Sequence, residues 1–155
     1  MQKPLDFLAI GDITTDAFIR LSQAHVVNSM DHHSQELCIS FGDKIPYESV
    51  EIVRGVGNSP NAAVSAAKLG LNSSIVTSVG DDQNGKECIG SLAAAGVSVD
   101  FVKIHQGIET NYHYVLWYGA ERTILVKHPD YRYKLPALQI TPCYVYLRSM
   151  DERPL

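Results

Sequence analysis

Arg54-Gly-Val-Gly-Asn-Ser-Pro-Asn-Ala-Ala-Val-Ser-Ala-Ala-Lys-Leu-Gly70 decides how this chain is read, because it joins a glycine loop directly to a short helix of small side chains. Gly55 and Gly57 permit positive φ and let a ligand come close to the backbone. Ser59 stands where an N-cap is expected, and Pro60 at the first helical position, where its missing N–H costs nothing. Ala62, Ala63, Ala66 and Ala67 give a face without bulk, suited to lying close on a sheet, and Gly70 takes the place of a left-handed C-terminal cap. Asn61, in the first turn, offers a donor and an acceptor to a polar ligand, beside N–H groups that lack an intrahelical partner.

A glycine loop before a helix is often only a tight connection, and two sharper motif readings fail. A dinucleotide fingerprint needs a third glycine where Pro60 stands. Gly80-Asp-Asp-Gln-Asn-Gly85-Lys86-Glu87 has the spacing of a phosphate-binding loop. There Glu87 replaces the hydroxyl residue that ligates Mg²⁺, and Asp81 and Asp82 repel a triphosphate.

Composition narrows the partners. The 155 residues suffice for one domain with a real core, and 45% apolar with 19% charged residues is ordinary globular usage. A net charge of −4 with no basic cluster argues against a nucleic-acid or anionic-membrane surface and for a small-molecule partner. No run of eighteen apolar residues occurs, and the N-terminal Met-Gln-Lys-Pro-Leu-Asp lacks an apolar signal core, which points to the cytoplasm. Cys38, Cys88 and Cys143 are scattered and odd in number, the pattern of reduced, buried thiols rather than of a disulfide frame or metal site.

Along the chain, Leu5 to Gly11 reads as a first buried strand of an α/β sheet. Asp12 and Asp16 follow, bracketing Ile-Thr-Thr; for Asp12 a turn acceptor is the preferred role. Ala17 to Leu21 and Leu37 to Phe41 alternate as half-buried strands around a polar segment from His25 to Glu36. Asp31-His32-His33 within it is read as solvated surface, since a metal site needs several correctly spaced ligands. Ser73 to Val79 predicts a buried strand, Asn84 to Ala95 a helix ended by Gly96, and Val97 to Ile104 the next strand, together a parallel β-α-β unit. Gly80, Asp81, Asp82 and Gly85 are assigned to shaping that turn and capping the helix. Thr110 to Leu116 and Arg122 to Val126 predict a hairpin across Tyr118-Gly-Ala-Glu121, and Tyr144 to Leu147 a last short strand.

Gly57-x-Ser-Pro-Asn-Ala-Ala followed by Ala-Ala-Lys-Leu-Gly, then Val79-Gly-Asp-Asp-x-x-Gly85, then Ala-Gly96-Val, resembles the amino-terminal half of the ribokinase-like, or PfkB, carbohydrate kinases. The resemblance runs from about Leu8 to about Arg148. It implies a ribokinase-like, Rossmann-like α/β sheet with a small β lid. Residues 1–155 would form the N-terminal part of the kinase domain, with lid strands within 13–53 and 110–127. The implied activity is ATP-dependent phosphoryl transfer to a sugar or nucleoside-like hydroxyl. The resemblance implies that Asp16 hydrogen-bonds sugar hydroxyls, that Gly55, Gly57 and Asn61 hold the acceptor, and that Thr110 and Asn111 approach it from the sheet edge. ATP and Mg²⁺ are the cofactors implied for the complete enzyme. Tyr112, Tyr114, Trp117 and Tyr118 are of a kind that stacks on sugars, yet in strands such residues more often pack.

Two departures from the family pattern matter. The usual glycine pair is here Val56-Gly57, so Val56 narrows the pocket unless Gly55 compensates. No Gly-Ala-Gly-Asp, the motif that supplies the anion hole and the hydroxyl-activating aspartate, occurs in the sequence. The sheet is therefore expected to be incomplete, with the C-terminal ATP-binding half absent, no catalytic residue or metal ligand assignable and the chain inactive alone. The alternative is a non-catalytic sugar-binding or interaction module, a homodimer pairing through the lid or an exposed sheet edge.

Overall fold

The computed structural model describes residues 4–28 and 34–148, so Asp31-His32-His33 lies outside the described residues. In chain order the elements are β1 (Phe7–Ile10), β2 (Thr14–Leu21), β3 (His25–Asn28), β4 (Gln35–Cys38), β5 (Tyr47–Val56) and α1 (Asn58–Lys68). Then follow β6 (Ser73–Gly80), α2 (Gln83–Ala94), β7 (Val102–His105), β8 (Tyr112–Tyr118), β9 (Glu121–Lys127) and β10 (Tyr144–Leu147). They fall into two compact units, one built from 4–15, Arg54–Tyr112 and 127–148, the other from the described part of Asp16–Val53 and from His113–Val126.

The first unit is a parallel sheet in the order β10-β1-β6-β7 with two helices. Strand alternation sends β1 to two cores: Leu8 and Ile10 join Leu5 and Val76, while Ala9 joins Ile13, Ala63, Ile75, Val79, Cys88, Leu92 and Val97. All eight residues of β6 are buried, as a strand covered on both faces requires. Two of its hydroxyls are bonded inward, Ser73 Oγ to Ala63 O (2.8 Å) and Ser74 Oγ to Ser98 O (3.2 Å), while the buried Thr77 Oγ1 has no hydrogen-bond partner. The small face of α1 buries Ala63 and Ala66, which is what lets the helix lie against β1 and β6.

Both helices end as the sequence predicts. Gly70 N–H bonds Ala67 O and Leu71 N–H bonds Ala66 O; Gly96 and Val97 repeat the pattern on Ala93 and Leu92. These are two left-handed Schellman ends, the second sealed by the buried Leu92 and Val97. The start of α1 differs from expectation. Gly57 is the N-cap, Asn58 opens the helix, and Pro60 is its third residue, still among positions whose N–H has no intrahelical acceptor. Ser59 does not cap; its Oγ donates to Ile10 O (2.9 Å) and Arg148 O (3.0 Å) at the ends of β1 and β10.

Regular pairing in the expected strand Val97 to Ile104 begins only at Val102. Before it, Ser98 makes a single bridge to Ser74 and its Oγ bonds Asp100 Oδ2 (2.9 Å), a local turn that competes with the ladder. At the sheet edge, β10 exposes Tyr144, Val145 and Leu147. Of the three free cysteines only Cys88 is buried and Cys143 is exposed, against the expectation that all are buried.

The second unit holds most of a sheet in the order β5-β2-β8-β9 and the antiparallel hairpin β3-β4. The hairpin pairs His25 with Cys38 and Asn28 with Gln35, so its strands include part of the stretch read as a polar connection. Ten-residue β5 was not anticipated, because Tyr47-Glu-Ser-Val-Glu lacks a continuous apolar signal and lies exposed. A row of side chains crosses three neighbouring strands: Glu48 Oε2 lies 2.9 Å from Arg20 Nε, whose Cζ sits 4.9 Å over the Trp117 ring. The predicted hairpin is present with a tighter link, Gly119-Ala120 joining Tyr118 to Glu121.

Candidate functional site

In the first unit the glycine loop, the start of α1 and the ends of β1 and β6 form the candidate site. Ligands of open α/β sheets bind outside the carboxyl ends of the strands, and Gly11-Asp12 follows β1 there. Gly57 has φ 126°, and a Cβ on it would stand 3.0 Å from Asp12 O, so the loop lies directly against that strand end. Asn61 is exposed in the first turn, its N–H bonded to Gly57 O (3.0 Å). Gly55 (φ 69°) faces the other way: a Cβ would lie 3.2 Å from Cys88 O and 3.3 Å from Ser91 Cβ, both on α2. Its freedom therefore serves close packing on α2.

The loop is clamped to that helix. Arg54 Nε pairs with Glu87 Oε2, and Ser91 Oγ donates to Arg54 O (3.1 Å). Gln83 Nε2 donates to Glu87 Oε1 (2.9 Å); hydrogen bonds from Gln83 and Arg54 hold the Glu87 carboxyl below its ordinary range. Glu87, a reason for rejecting the phosphate-loop reading, thus has a positioning task that its place in that motif gave no sign of.

Thr110 and Asn111 are both buried, with different engagements. Thr110 Oγ1 donates to Asp82 Oδ1 (2.5 Å) and accepts from Gly80 N–H (3.0 Å), while Thr110 N–H donates to Asp82 Oδ2 (3.0 Å). Asp82 also caps α2 by accepting from Gly85 N–H (2.8 Å), the structural role expected of it. Burial pushes the Asp82 carboxyl up, but the bonds from Thr110 and Gly85 outweigh it and hold the group below its ordinary value. Asn111 Nδ2 donates to Ile13 O (2.9 Å) and Thr15 N–H to Asn111 O (3.2 Å), while Asn111 Oδ1 is a buried acceptor without a hydrogen-bond partner.

Asp12 is engaged by residues that sequence reasoning did not single out. Tyr133 OH donates to its Oδ1, and His128 Nδ1 lies 3.8 Å from its Oδ2. Asp12 is thus an acceptor, for a side chain 121 residues along the chain, and this contact ties down the proline-marked crossover to β10. Tyr131 in the same crossover donates to Glu109 O (2.7 Å) and packs on His105, with ring centroids 4.9 Å apart. Burial, then the nearby Asp82 charge, pushes the Tyr131 hydroxyl up to about 12. A cavity of about 20 Å³ beneath Tyr133 and Leu135, lined also by Gly11 and Thr77, has room for one water.

Asp16 belongs to the second unit. It sits in β2, and His113 Nδ1 of the neighbouring β8 is 3.1 Å from its Oδ1, both side chains being at most one-fifth exposed. Among the described residues no group of three or more His, Cys, Asp or Glu is placed to hold a metal, and no helix is long and apolar enough to cross a membrane.

Residues 26–143 match the pfkB family carbohydrate kinase profile. No curated protein matches the sequence. Among solved structures, ribokinase from Cryptococcus neoformans var. grubii in complex with ADP superposes with TM-score 0.65 at 22% identity, over 92% of this chain and 40% of that one. Arabidopsis thaliana ribokinase complexed with ribose and ATP gives TM-score 0.64 at 18% identity, over 81% and 36%. A sugar kinase from Pyrococcus horikoshii gives 0.54 at 21%, over 78% and 35%. The chain spans 35–40% of the length of these structures. The fold is ribokinase-like α/β, and the chain belongs to the pfkB family of carbohydrate kinases.

Proposed function

We propose that this chain supplies the acceptor side of an ATP-dependent carbohydrate kinase, holding a sugar or nucleoside-like hydroxyl compound in the cytoplasm. The observation that carries the reading is the glycine loop set against the carboxyl end of β1, where Gly57 abuts Asp12 O and feeds α1. In this reading Gly57 gives the ligand access to backbone and Asn61 offers its exposed amide. Gly55 sets the loop's course over α2, and Thr110 and Asn111 hold the strand ends that frame the site. Asp16 accepts hydroxyl hydrogen bonds; a carboxylate does this strongly and rejects anions. The small β lid of the reading corresponds to strands within 13–53 and 110–127.

ATP and Mg²⁺ belong, in this reading, to the complete enzyme. The residues present do not fit them at the turn whose spacing resembles a phosphate loop, because the Asp82 carboxylate already caps α2 where a phosphate would sit. With no Gly-Ala-Gly-Asp in the sequence, the 155-residue chain alone is expected to show no ATP turnover. A coupled ATP-consumption assay across sugars and nucleosides tests this, and sugar-dependent turnover would overturn it. The second reading, a non-catalytic module pairing with a second copy, rests on the exposed apolar edge strand β10. Sedimentation showing a stable dimer that binds no sugar would favour it.

A further inference from the structure

We infer that the second unit carries a binding cleft for a free α-amino acid with an aliphatic side chain, built between the hairpins β3-β4 and β8-β9. The cleft has a volume of about 170 Å³. Where the cavity beneath Tyr133 has room for one water, this one admits a small organic molecule. Each hairpin turns one face to it. In β3-β4, Val26 is paired with Leu37, so the two point to the same side, and alternation adds Gln35. In β8-β9, the two-residue link Gly119-Ala120 sets Tyr118 opposite Glu121 and Leu116 opposite Thr123, which puts these side chains on one side as well. All of them line the cleft, as do Glu36 and Arg122.

The lining selects the chemistry of the ligand. Val26, Leu37 and Leu116 supply its apolar part, and Val26 is 48% exposed, so an aliphatic group laid there removes apolar surface from water. Beside them stand the carboxylates of Glu36 and Glu121 and the guanidinium of Arg122. Among the described residues none of these three is ion-paired. A polyol would leave the apolar lining unmatched, a simple anion would meet two carboxylates, and a simple amine would face Arg122. A zwitterion with an aliphatic body answers every part. Its ammonium donates to Glu121, which shares a face with Leu116, and Glu36 is a second acceptor; its carboxylate accepts from the planar guanidinium fork. None of the residues assigned to the sugar acceptor lines this cleft, so the inference is independent of that reading.

The test is titration calorimetry of L-leucine into the 155-residue chain. Glycine, isoamylamine and isocaproate serve as partial ligands that lack the side chain, the carboxylate and the ammonium respectively. Saturable leucine binding, weaker for every partial ligand and weakened about fivefold or more in Glu121→Gln and in Arg122→Gln, supports the inference. Both positions are exposed, so the variants keep the fold, and thermal melts confirm it. Isoamylamine binding as tightly as leucine overturns the amino-acid assignment, and so does unchanged affinity in the two variants. Methyl NMR reads the location directly: leucine should shift the signals of Leu37 and Leu116, and shifts confined to other residues overturn the site. Absence of leucine binding overturns it too, and a dimer in sedimentation would then assign the cleft to contact with a second copy.

Discussion

Arg54 and Glu87, thirty-three residues apart, form an ion pair that ties the glycine loop to the second helix. Both side chains remain partly exposed to solvent, so the pair's effect on global stability is small. Its consequence is local. Glu87→Gln should leave the melting temperature nearly unchanged while speeding amide hydrogen exchange at Gly55 and Gly57. Unchanged exchange there would show that Ser91 and the close packing of Gly55 suffice to hold the loop.

Gly80 and Gly90 predict opposite responses to the same change. A Cβ at Gly80 would lie 2.0 Å from Ile108 O, a clash with backbone in a buried strand end. Gly80→Ala should cost about 3 kcal/mol or leave the chain unfolded. Gly90 lies exposed within α2 with nothing within 4 Å of the added atom. Gly90→Ala should stabilise by about 1 kcal/mol, the helix-propensity difference. Urea denaturation of the two variants checks both signs.

Asp82 links the start of α2 to Thr110, and its removal should cost about 1 kcal/mol for the lost cap, with a further loss from the freed Thr110 groups. Because its folded pKa lies below the unfolded value, its stabilisation is present above about pH 4 and disappears as pH falls through the folded value. Melting temperatures of wild type and Asp82→Ala should therefore differ at pH 7 and converge as the pH falls below the ordinary carboxylate range. Parallel curves over that range would contradict the assignment.

The fold was legible where local rules and tertiary packing agree. Gly70 and Gly96 announced helix ends, β6 announced a doubly covered strand, and the motif order from Gly57 to Gly96 announced the family. What escaped was decided by partners remote in sequence. Ser59 looks like a cap but is drawn to carbonyls at Ile10 and Arg148, leaving Gly57 at the cap. β5 carries little apolar alternation over its first half and owes its strand to the neighbouring β2, including the Glu48–Arg20 pair. The place of Gly57 beside the end of β1 and of Asn61 in the first turn of α1 was readable from the loop. The contacts of Tyr133 and Glu87 were not, because each is defined by the carboxylate or guanidinium it meets.

The most direct test of the acceptor-side account is isothermal titration of D-ribose into the 155-residue chain and into Asp16→Ala. The account predicts saturable binding to the chain, weakened about tenfold or more in a variant that melts at the same temperature. Equal binding by both proteins, or none by the wild-type chain, would contradict it.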